Sequence, residues 1–226
     1  MTSEGAVNPK AGFGLLAWRA LLILAAGFLA WRIIVLGLAS QGLEQLKAGD
    51  TAAAERVLNF LPQHPEALYR HAIALLPTNP TGAEAQLAEA YSRDPTQARP
   101  LLALAELALA RGEIERGDAL VEAAVKLEPV RAATLRGAAV HWFKRGQMER
   151  GLRHLSAALL AQPATNQHLL DIFLGFAEDP ASRQALAPLA QDPPAWWPTF
   201  FERLAQRGLD VETVRYVYGL RALTAR

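Results

Sequence analysis

Five histidines, His64, His71, His141, His154 and His168, are the side chains of this 226-residue chain best suited to proton transfer or metal ligation. They form no HExxH and no close pair at ligand spacing, so they are read as surface or groove residues. The lack of cysteine removes thiolate metal sites, cysteine nucleophiles, thiol redox chemistry and disulfides together. A serine nucleophile would call for a Gly-x-Ser-x-Gly elbow, and the chain has none. Neither Gly-x-x-x-x-Gly-Lys nor a Gly-x-Gly-x-x-Gly after a strand-like run is there to cradle phosphate. Helical spacing puts carboxylates such as Glu113, Glu115 and Glu122 on solvated faces, where they serve solubility. The residues therefore predict a protein that is not an enzyme, with no catalytic residue, cofactor, metal or small-molecule substrate.

Lys+Arg 23 against Asp+Glu 22 leaves a net charge of +1, without the positive field that a general nucleic-acid binder needs. No nucleic-acid partner is expected. Hydrophobic residues make up 51% of the chain, and a large share of them is gathered at the N-terminus. Residues 1–12 read as a flexible cytoplasmic tail. Residues 13–39 read as a transmembrane signal-anchor helix, in which Leu15 to Leu38 carries only Arg19 and Arg32 as charges. Lys10 and Arg19 ahead of the apolar centre predict a single pass through the inner membrane, with the N-terminus in and the rest periplasmic or extracytoplasmic. A cleaved signal ending at Gly37-Leu38-Ala39 and a buried soluble helix are the competing readings; against the cleaved signal stand the length of the segment and the charge at Arg32. Arg32 either snorkels beside Trp31 or makes a polar contact with a partner's membrane helix.

Beyond residue 40 the chain repeats. Asp94-Pro95, Glu128-Pro129 and Gln162-Pro163 are spaced by 34 residues, as are Gly112 and Gly146, Gly117 and Gly151, and Ala124 and Ala158. Between these marks lie helical segments that end alternately at glycine and at proline, which predicts two helices and a tight turn per unit. Leu101, Leu104, Ala105, Ala108, Gly112, Gly117, Val121, Ala124 and Pro129 lie in one unit. Leu135, Ala138, Ala139, Trp142, Gly146, Gly151, Leu155, Ala158 and Pro163 mark the next.

In these residues the chain resembles the tetratricopeptide repeat (TPR) family, in its membrane-anchored bacterial type, whose unit is a helix pair of about 34 residues. The resemblance departs from the family where leucine replaces the large aromatic near each unit start and where Ala108 replaces a tyrosine. It implies an all-α, TPR-like helical solenoid of about four units over 40–190, clearest at 98–131 and 132–165, preceded by the transmembrane helix. Residues 191–226 are expected to be capping helices with an aromatic cluster. Trp196 and Phe200 in that cluster either cap the solenoid or form an exposed anchor for a partner or a membrane surface.

The resemblance also implies a partner-binding groove lined by the first helix of each unit. Its matching positions are Arg99, Leu102, Glu106 and Leu109, then Arg136, Val140, Phe143 and Lys144, then Gln167 and Leu170. Apolar patches flanked by Arg99, Arg136 and Lys144 suit an extended or helical peptide with some acidic character. The function expected is a non-catalytic, membrane-anchored scaffold that docks a protein partner in envelope assembly, secretion or export. The alternative is a structural subunit of a larger membrane complex, held through its transmembrane helix at residues 15–38 and Arg32.

Overall fold

The computed structural model describes residues 52–207 and 211–222, together with Leu24, residues 26–29, Trp31 and Gly37. The described residues are helical apart from turns. The helices are α1 (Ala52–Phe60), α2 (Pro65–Leu75), α3 (Pro80–Arg93), α4 (Arg99–Ala110), α5 (Ile114–Leu127), α6 (Ala132–Lys144) and α7 (Met148–Ala161). They are followed by α8 (Pro163–Asn166), α9 (Leu169–Glu178), a 3-10 turn at Arg183–Leu186, α10 (Ala187–Gln191), α11 (Trp197–Gln206) and α12 (Val211–Ala222). Helices α2 with α3, α4 with α5, and α6 with α7 pack as successive hairpins, and α4 also packs on α6.

Local chemistry sets each corner. Gly112 (φ 78°) and Gly146 (φ 71°) take the left-handed conformation that lets a helix close on itself and reverse. At the first, the Gly112 N–H donates to Leu109 O (3.0 Å) and the Glu113 N–H to Ala108 O (2.9 Å). The second repeats the pattern, with Gly146 N–H on Phe143 O (2.9 Å) and Gln147 N–H on Trp142 O (2.8 Å). The α2–α3 corner has no glycine. There Asn79 caps α3, its Oδ1 accepting the Gly82 N–H at 2.9 Å, and Pro80 opens the helix. Each hairpin ends where the following proline forces its predecessor out of the helix: Asp94, Glu128 and Gln162 have φ of −139°, −128° and −144°.

Small residues let the helices approach. Ala105, Val121 and Ala138 surround the fully buried Trp142. A Cβ on Gly117 would lie 3.3 Å from both Ala105 O and His141 Cε1, and one on Gly151 would run into the Phe143 ring. Hairpins are also registered by charge. Glu84 on α3 holds Arg111 (2.5 Å) and Arg116 (2.8 Å), and one repeat later Asp118 on α5 holds Arg145 (3.1 Å). Carboxylate and arginine both step by 34 residues, so the same bridge ties each hairpin to the corner of the next. Glu113 and Glu122, expected only to aid solubility, bind Arg116 (2.7 Å) and Arg150 (2.8 Å).

After α7 the period lapses. Only four residues of α8 follow Gln162 before the chain turns into α9. Residues 183–189 begin as a 3-10 turn and become α-helical at Ala187 and Pro188. Asp179 organises this corner, accepting from the Ala181 N–H (3.1 Å) and the Ser182 hydroxyl (2.7 Å). Beyond it lies an aromatic core in which Trp196 contacts Phe173 (4.4 Å) and Trp197 stacks on Phe200 (5.1 Å).

Two expectations are corrected here. Trp196 is 7% exposed and Phe200 0%, so neither is an exposed anchor; both rings fill the space between α9 and α11. The second correction concerns the membrane. Among the described residues no helix is long and apolar enough to cross a bilayer. The longest helices among the described residues have 14 residues, about 21 Å against a hydrocarbon core of about 30 Å. The described residues form an all-α, TPR-like solenoid, and they correct the membrane-anchored type, the single-pass periplasmic location and the membrane as partner, because none of their helices supplies the span these need. Most of segment 13–39, Arg32 included, lies outside the described residues.

Candidate functional site

The first helices of the three hairpins, α2, α4 and α6, line one groove of about 490 Å³. Its apolar surface is made by Tyr69, Ile73 and Leu76 from α2 and its C-cap, Leu102 and Ala103 from α4, and Gly137 and Val140 from α6. The helical pattern puts these residues on one face in each helix, while the opposite face packs against its hairpin partner. Gly137 is required by the close approach of Leu102, whose Cδ1 would be 2.7 Å from an added Cβ. Val140 is 46% exposed, an apolar side chain left open to solvent at the groove edge.

Two of the three cations expected beside the groove, Arg99 and Lys144, are already matched by carboxylates. Arg99 reaches back to α2, where its Nη1 and Nη2 donate to Glu66 Oε1 (3.2 Å) and Oε2 (2.5 Å). The guanidinium also lies 5.1 Å from the centre of the Tyr69 ring. Burial pushes the Tyr69 phenol above its ordinary value, with Arg99 opposing that rise. Lys144 pairs with Glu106 across α4 and α6. With both cations engaged, the groove has less pull on an acidic peptide than its arginine and lysine content suggested.

The strip of ten expected residues divides. Arg99, Leu102, Glu106 and Val140 line the groove together. Leu109 is half-buried, and Arg136 donates to Asn166 Oδ1 at 2.6 Å. Phe143 packs 5.5 Å from the ring of Phe176 and against Gly151, as part of the core. Gln167 and Leu170 belong to a separate pocket beside Trp196. Sequence reasoning missed Tyr69, Ile73 and Leu76: the 30-residue interval from Pro65 to Pro95 marks their hairpin as a shortened unit, onto which the groove positions of the 34-residue frame do not carry.

Of the five histidines expected at the surface or in the groove, His168 is exposed and His141 lines the groove, while others also serve the fold. His64 caps α2, accepting the Ala67 N–H at 3.4 Å, and His71 bonds Gln86 at 2.7 Å. His141 is buried and bonds Asp118 Oδ1 through Nε2 at 2.8 Å. Burial lowers the His154 imidazole below its ordinary value, and Arg150 and Arg153 lower it further. Among the described residues no cluster of His, Asp and Glu could hold a metal ion.

No protein-family model and no curated protein matches the chain. Solved structures do resemble it. TTC0263, a thermophilic TPR protein of Thermus thermophilus, is 19% identical over 84% of this chain and 99% of its own, with a TM-score of 0.48. The pilF protein of Pseudomonas aeruginosa is 15% identical, covering 84% of this chain and 87% of its own, also at 0.48. MamA is 14% identical over 59% of this chain and 81% of its own, at 0.43. The chain is similar to these helical-repeat proteins in fold.

Proposed function

We propose that this protein is a non-catalytic scaffold that docks a protein partner in the groove formed by α2, α4 and α6. The observation that carries the reading is the groove's composition: a continuous apolar face, with Val140 exposed, bordered by cations that their own neighbours neutralise. Such a surface suits an extended or helical segment with apolar side chains at intervals and little net charge. The groove is too open and too poor in free polar groups to orient a small substrate.

Site-specific photo-crosslinking tests this. A photoreactive residue at Val140 is compared with one at the exposed Ala123 on α5. The expected result is a defined adduct from position 140 alone, whose purified partner binds the Val140→Glu protein at least tenfold more weakly. Equal adducts from both positions, or unchanged affinity for Val140→Glu, would overturn the groove as the docking site.

A further inference from the structure

A second recess lies where the solenoid meets its C-terminal cap, and it shares no lining residue with the groove. Its volume is about 270 Å³. Its floor is Leu159, Leu170 and Trp196, all buried, and its wall includes Leu160, which is 46% exposed. The floor is held in place. The Trp196 Nε1–H donates to Ser156 Oγ at 3.0 Å, and the ring lies 4.4 Å from Phe173.

Two polar side chains stand at the rim, Gln167 and Thr199. Both are exposed, and among the described residues no protein group bonds the Gln167 amide or the Thr199 hydroxyl. Each can donate and accept. Among the described residues no charged side chain lines the recess, so a charged group entering it would lose hydration without a partner. Sites for drug-sized ligands occupy about 300 to 1,000 Å³, so this recess takes a smaller body.

We infer that this recess receives one large apolar side chain, of the leucine, methionine or phenylalanine kind, presented by a peptide segment of a partner protein. The side chain lies on Leu159, Leu170 and Trp196, and the adjoining main-chain N–H and C=O bond Gln167 and Thr199. A bare hydrocarbon would leave those two rim groups without a ligand partner. The inference stands apart from the groove reading, since occupancy of either site requires nothing of the other.

The probe is N-acetyl-phenylalanine N-methylamide, titrated into the full-length protein and followed by the indole N–H resonance of Trp196. The expected result is a saturable shift with a dissociation constant on the order of a millimolar, as befits a fragment of this size. Ala195→Trp, at the exposed mouth, should weaken binding at least tenfold, and Gln167→Ala should weaken it severalfold. Leu160→Glu is the second blocking variant, and melting curves identify which of the two remains folded. The proposal is overturned by the absence of a saturable Trp196 shift, or by unchanged binding in a folded blocked variant. It is equally overturned if 2-phenylethanol, which lacks the amides, binds as tightly as the peptide probe.

Discussion

Arg99 on α4 is gripped by Glu66 on α2, a contact of 33 residues' separation in which two guanidinium nitrogens meet two carboxylate oxygens. The pair joins the first helices of neighbouring hairpins beneath the groove, and both side chains are more than two-thirds shielded from water. Replacing Glu66 by alanine leaves the shielded Arg99 with only Gln97 Oε1 as acceptor and also frees Arg70. The expected loss is roughly 1 to 3 kcal/mol of unfolding free energy, read from urea denaturation. A double-mutant cycle with Arg99→Ala should show that the two losses are not additive. Additive losses would mean that the pair contributes nothing as a pair.

Two glycines separate packing from intrinsic helix preference. Gly151 lies in α7 with the Phe143 ring against it, so Gly151→Ala should destabilise by roughly 1 to 3 kcal/mol through overpacking. Gly175 lies in α9 with nothing within 4 Å of an added Cβ. Gly175→Ala should stabilise by roughly 0.5 to 1 kcal/mol, because alanine gives the unfolded chain less freedom to lose. Thermal melts of the two variants should therefore move in opposite directions.

The cap depends on one buried polar bond. Ser156 on α7 accepts the Trp196 indole N–H, and both residues are buried. Ser156→Ala removes the acceptor and strands the donor, at a cost of roughly 1 to 3 kcal/mol. Because Trp196 joins α11 to α9, the near-ultraviolet circular dichroism of the aromatic cluster should change along with stability. Ser156→Thr keeps an acceptor and should recover part of the loss.

The sequence carried the repeat because its marks are local rules. Pro95, Pro129 and Pro163 restrict the residue before them, and Gly112 and Gly146 tolerate the left-handed corner, so each acts without tertiary information. The bridges Glu84–Arg111 and Asp118–Arg145 were not legible, although they obey the same period. Their residues look like solvated helix surface until the stacking angle of the hairpins brings them together. The groove was half legible: Arg99, Leu102, Glu106 and Val140 follow from the 34-residue frame, while Tyr69, Ile73 and Leu76 stand in a hairpin outside it. Trp196 and Phe200 could not be placed from pattern, since an aromatic run fits a buried cap and an exposed anchor equally well. The membrane reading of 13–39 rested on apolar length and flanking charge, and the described helices supply no span.

Acid should act on this fold in two windows. The first belongs to His154 and His64: burial lowers both below their ordinary 6.5, with Arg150 and Arg153 lowering His154 further and Glu66 opposing the shift at His64. With the folded values depressed, the unfolded chain binds the protons more readily, so stability is intact above about pH 6.5 and falls as the pH drops below it. The second belongs to Glu84 and Asp118. Hydrogen bonds from Arg111 and then Arg116 lower Glu84 below 4.5. Burial raises Asp118, but Arg145 and His141 outweigh it and hold the carboxyl below 3.8. These two groups stabilise fully above their ordinary values, and that stability is lost as the pH falls through the folded ones. Unfolding free energy measured by urea from pH 8 to 3 should therefore decline first below about 6.5 and again below about 4.5. His154→Gln should reduce the upper decline alone, and Asp118→Asn the lower one alone, His64 and Glu84 keeping what remains of each. A single variant that removed both declines would show that one shared group, and not these separate partners, governs the response to acid.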